Sequence, residues 1–115
     1  MGQLSNEAAK TLDRLGQGRM YCAVGVAARL EGFVNAAGEA GRRVVIDGCE
    51  GRCVRKAFDG AGLKADVHVV VTELGIAKAH HFDYTQDEVA EVVGAVADAA
   101  GARSSRCTDP TGGPA

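Results

Sequence analysis

The sequence predicts an α/β domain built on a short parallel sheet. Two runs read as strands buried on both faces: Arg42-Arg43-Val44-Val45-Ile46-Asp47-Gly48 and Val67-His68-Val69-Val70-Val71-Thr72. Helical periodicity occupies the stretches around and between them. Strands alternating with helices put parallel strands beneath crossover helices. The expected architecture is a small three-layer sandwich with a short, mostly parallel sheet.

The elements follow in order. Ser5 is an N-cap candidate for a helix from Asn6 to about Leu15, with Leu4, Ala8, Leu12 and Leu15 on one face. Met20 to Val24 is short and apolar, read as a third strand or a buried loop. Helical character resumes from about Val26 to Ala40, weakened by Gly32 and Gly38. After the first strand, Val54 to Ala61 reads as helix, closed by Gly60 and Gly62. Thr85-Gln86-Asp87-Glu88 is a capping box opening a helix from Asp87 to about Ala100, with Val89, Val92, Val93 and Val96 on one side. Residues 1–101 are expected to form one domain, and 102–115 a polar, Gly- and Pro-bearing tail.

Composition excludes several function classes. Thirteen Lys and Arg balance fifteen Asp and Glu, so no nucleic-acid or anionic-membrane partner is expected. Apolar stretches are too short to span a bilayer. The start, MGQLSNEAAK, has no basic n-region followed by an apolar run, so a cytoplasmic, reducing location is expected. There, four cysteines read as metal ligands or reactive thiols before disulfides. No dinucleotide or Walker-type glycine motif is present.

The stretch Val44 to Phe58 carries most of the chemistry. It sets Cys49 and Cys53 where a buried strand hands over to a helix. The carboxyl end of a strand is where ligands bind in open α/β sheets. Helix N–H groups there favour thiolate. Were Met20–Val24 a strand beside Val44–Asp47, Cys22 would open onto the same edge. Three converging thiols would lack one donor of a tetrahedral zinc site. The alternative for each is a small buried hydrophobe. Asp47 is a candidate for orienting the thiol loop through its amides; a turn or cap carboxylate before glycine is the other reading. Cys107, in the tail, is expected to be a bystander.

Gly-Gln-Leu-Ser-Asn-Glu-Ala-Ala at the start, Met20-x-Cys22, Gly32-Phe33, Ile46-Asp47-Gly48-Cys49-x-x-x-Cys53 and Val69-Val70-Val71-Thr72-x-Leu74-Gly75-Ile76 occur in this order. Together they resemble the DGC family, named for Asp-Gly-Cys, whose signature cysteines are held to bind zinc. The resemblance implies a small α/β protein with zinc as cofactor and Cys22, Cys49 and Cys53 as ligands. It supplies no reaction. Family members carry a further strand ending in Cys-Ser-Gly ahead of Gly-Gln-Leu. This sequence has neither; either its true start lies upstream, or the sheet is expected to lack its usual first strand and to keep a three-thiol remnant. An open edge of that kind invites pairing between two copies. Water, a substrate, His80 or His81 are candidates for the fourth ligand; His68 reads as a packed or edge histidine.

A competing chemistry uses the same loop. Cys49-x5-Arg55 between strand and helix has the spacing of phosphatase and rhodanese loops, where the cysteine attacks and the arginine clamps an oxyanion. Asp59 or Asp66 would be the general acid. Glu50 inside the loop would repel an anion, and Lys56 rather than Ser or Thr follows Arg55. A third reading makes Cys49 and Cys53 a redox dithiol or a sulfur or metalloid carrier. Arg42 and Arg43 are expected to be solvated, and Glu73 to reach the same sheet edge. A zinc-binding protein and a thiol enzyme thus stand side by side.

Overall fold

The computed structural model describes residues 1–78 and 83–104. Its elements are α1 (Gly2–Arg14), α2 (Ala23–Ala27), α3 (Glu31–Glu39), β1 (Val44–Asp47), α4 (Cys53–Gly60), β2 (Val67–Val70), a 3-10 turn (Val71–Leu74) and α5 (Gln86–Ser104). β1 and β2 pair in parallel, Val44 opposite Val67 and Asp47 opposite Val70. Side chains alternate across a sheet. Ile46, Val67 and Val69 therefore share one face, and Val45, Asp47, His68 and Val70 the other.

The first face carries the main core. Leu4, Ala8 and Leu12 of α1 and Val89, Val92 and Val96 of α5 pack with Val67, Val69, Val71 and Ile76. Each buried valine contributes roughly 1.5–3 kcal/mol, so this layer dominates stability. The second face is covered by α4, with α2 packed on α4 and α3 on α2. These are the three layers the sequence predicts, around a two-stranded sheet.

Several boundaries differ from expectation. α1 begins a turn early, at Gly2 with Met1 as its N-cap, because Leu4 is needed in the core. Ser5 lies inside the helix and its hydroxyl donates to the Gly2 carbonyl. Leu15, expected on the core face, follows the last helical residue and is exposed. Met20–Val24 forms no strand. Met20 and Tyr21 are exposed, and a short helix starts at Ala23. The reason lies at Gly25: a Cβ there would stand 2.5 Å from the Phe33 ring. That close approach folds α2 onto α3, and left-handed Arg29 (φ 58°) breaks the single helix expected over 26–40. β2 ends two residues early, where the 3-10 turn begins.

The capping box is realised. Glu88 N–H donates to Thr85 Oγ1 at 3.1 Å and Thr85 N–H to Glu88 Oε1 at 2.8 Å. α5 continues to Ser104, beyond the boundary expected at 101. Arg42 and Arg43 are tied down rather than solvated. Arg42 donates to the Ala100 carbonyl at the end of α5, and Arg43 to the carbonyls of Lys64 and Ala37. Among the described residues, no helix is long and apolar enough to cross a membrane.

Candidate metal centre

β1 ends at Asp47, and the loop to α4 holds Gly48, Cys49, Glu50, Gly51 and Arg52. Glycine at 48 is a steric requirement, since a Cβ would lie 2.8 Å from the Met1 backbone. Arg52 takes the left-handed conformation (φ 51°), which turns the chain into α4 so that Cys53 is its first residue. A Cβ built on Gly51 would lie 3.6 Å from Cys49 Sγ and 3.7 Å from Cys53 Sγ. The two sulfurs therefore frame one point at the carboxyl end of β1. Both thiols are free; Cys49 is half-buried and Cys53 exposed.

Cys22 is placed differently. It is exposed and caps α2, its sulfur accepting the Gly25 N–H at 3.3 Å. Its helix packs against α4, which starts with Cys53. Among the described residues no three Cys, His, Asp or Glu side chains stand together as a metal-binding group. The structure thus gathers Cys49 with Cys53 and leaves Cys22 apart. His80, His81 and Cys107 lie outside the described residues.

Asp47 organises the loop, though not through the loop amides. Its Oδ1 accepts the Val54 N–H at 2.9 Å and its Oδ2 the Arg55 N–H at 3.2 Å. These are the second and third residues of α4, the donors an N-cap side chain normally satisfies. Arg52, the residue in the cap position, makes no such bond. Asp47 caps the helix from the preceding strand and is 3% exposed. Its third partner is His68, whose Nε2 stands 2.8 Å from Oδ2. The sequence reading missed this partnership. Parallel register was the available signal, since it puts His68 two positions from Asp47 on one face.

The loop is braced from outside. Arg52 pairs with Glu73 at 2.7 Å, which puts Glu73 at this edge as expected. Glu50 pairs with Lys78 at 3.4 Å. Its own backbone N–H, then Lys78, hold the Glu50 carboxyl below its ordinary range.

The phosphatase-like arrangement needs free amides and a free arginine. Asp47 already occupies the Val54 and Arg55 amides. The Arg55 guanidinium turns to His68 Nδ1 (3.3 Å) and Asp59 (3.5 Å). Asp66 sits at the amino end of β2, where it accepts the Arg43 N–H, at the opposite end of the sheet from the thiols. Arg55 and Asp66 are thus engaged with partners of their own.

Fold and site together define a small α/β domain with a dithiol at the carboxyl edge of a parallel pair. Its family follows from comparison: the family model of the DGC domain matches residues 1–96. The chain belongs to the DGC domain family. Comparison with curated proteins and with solved structures returned no match.

Proposed function

We propose that the chain binds zinc through Cys49 and Cys53, with Cys22 as a third thiolate donor. The observation that carries this reading is the pair of free sulfurs framing Gly51. Zinc takes thiolate donors in four-coordinate sites, and this pair fits half of such a set. Cys22 is the donor within this chain on a helix already packed against α4. When bound, zinc supplies a Lewis-acid centre and a cross-link between loop and helix. Asp47 holds the first turn of α4, and hence Cys53, in place for it. A cytoplasmic location suits free thiols, and the balanced charge suits a protein without nucleic-acid partners. The edge of β1 that no strand covers among the described residues suits a homodimer.

The test is metal content after purification without chelator. About one zinc per chain is expected, as for a single structural or catalytic site. Cys49→Ser or Cys53→Ser should abolish it, and Cys22→Ser should weaken it. A folded protein that takes up no added zinc would overturn the proposal. The redox alternative uses the same two sulfurs, and Cys22→Ser separates them, because a Cys49–Cys53 disulfide does not need Cys22.

A further inference from the structure

We infer that His68 is a positioning residue for the Cys49/Cys53 pair, acting through Asp47. The inference deepens the zinc site proposed above and rests on that reading for its ligand.

His68 lies opposite Val45, so its side chain and that of Asp47 emerge on the face beneath α4. Both are withdrawn from water, the side chains being 12% and 4% exposed. The two ring nitrogens have different neighbours. Nδ1 stands 3.3 Å from the Arg55 guanidinium. A guanidinium only donates, so Nδ1 accepts and Nε2 carries the proton. Nε2 therefore donates to Asp47 Oδ2, at 2.8 Å. Arg55 thus selects the tautomer that lets His68 hold the carboxylate.

That carboxylate locates both sulfurs. Cys49 follows it by two residues in the chain. Cys53 immediately precedes the two amides, of Val54 and Arg55, that Asp47 binds. His68 is the shortest of the three donors to Asp47 and the one anchored in the neighbouring strand. Without it, Oδ2 keeps only the 3.2 Å bond to Arg55 N–H. The carboxylate is then held by the α4 amides alone, and the site loses its tie to β2. Residues behind a ligand shell typically change metal affinity 10–100-fold when replaced.

The test uses the full chain carrying Cys22→Ser and Cys107→Ser, so that only the pair remains. Its Cys49–Cys53 disulfide is equilibrated against glutathione; two thiols and one glutathione disulfide give one protein disulfide and two glutathione thiols. The equilibrium constant reads how well the sulfurs are placed. His68→Leu, which removes one hydrogen bond to a carboxylate, should lower it by about 10-fold, and His68→Gln, which retains a donor near Nε2, should restore most of the wild-type value. An unchanged constant in His68→Leu would overturn the inference. Should His68→Leu fail to fold, His68→Gln is compared with the shorter His68→Asn; equal constants would overturn it too. Cobalt(II) absorption of the Cys22-containing proteins separates the two readings. If no variant binds cobalt but the disulfide constant still responds to position 68, the zinc reading falls and the positioning role stands.

Discussion

Asp47 shows how one side chain can do the work of several. It ends a strand, caps the following helix and receives a histidine from the neighbouring strand. Buried and unpaired, such a carboxylate would be costly; with three donors it becomes the fixed point of the site. Gly51 makes the complementary point, because its importance lies in what it leaves open. It does not take a positive φ, and an added Cβ would make ordinary contacts with both sulfurs. Gly51→Ala should therefore leave the unfolding free energy from urea titration within about 1 kcal/mol of wild type. It should nonetheless lower zinc affinity, measured by competition with a chromophoric chelator, because the methyl group fills the position the sulfurs share. Unaltered affinity would move the metal away from Gly51. At this scale the sequence was informative about identity and poor about partners. Cys49, Cys53 and Asp47 were legible from their place between strand and helix. The His68–Asp47 bond was not, because it depends on the register of two strands separated by a helix.

At the scale of elements, the strands and the long helices were legible and the Met20–Ala40 region was not. β1 and β2 announce themselves as β-branched runs, and α5 by a capping box that the structure reproduces bond for bond. Met20–Val24 has a similar apolar composition, yet the contact between Gly25 and Phe33 makes the following residues a helix. Tertiary packing overrode local propensity there. The consequence is a sheet of two strands, with β1 unpaired on one side among the described residues. The Arg43 carbonyl accepts the Asp66 and Val67 N–H groups on the β2 side. The next amide points the other way, so Val44 N–H faces the open edge, and Val44 is itself exposed. Two copies pairing their β1 edges about a two-fold axis would form an antiparallel junction. Sedimentation velocity should then show a dimer that Val44→Pro, which removes that N–H, converts to monomer. A wild-type monomer at about 100 µM, weaker than typical specific pairing, would count against this interface.

For the molecule as a whole, the apolar layer and the helix that begins with Cys53 sit on opposite faces of one small sheet. α1 and α5 supply the apolar layer, and α4 with its loop supplies the thiols. Tyr84, just ahead of α5, reaches back across the chain to α1, its hydroxyl donating to Glu7 at 3.4 Å. Loss of solvation, then the charge of Glu7, raises the Tyr84 phenol above its ordinary value. A folded-state value above the unfolded one favours the protonated form. That contribution is complete below about pH 10, the unfolded value, and is lost as pH rises through the folded one. Tyr84→Phe should flatten this alkaline loss in urea titrations between pH 9 and 11, spanning that value; an identical profile would exclude Tyr84 as its source. The thiol face bears the central claim, that Cys49 and Cys53 hold zinc. Zinc-edge X-ray absorption of the loaded chain tests it most directly. The account predicts sulfur neighbours at about 2.3 Å, one fewer in Cys22→Ser and none from the pair once both Cys49 and Cys53 are serine. A first shell of nitrogen and oxygen alone, at about 2.0–2.1 Å, would contradict it.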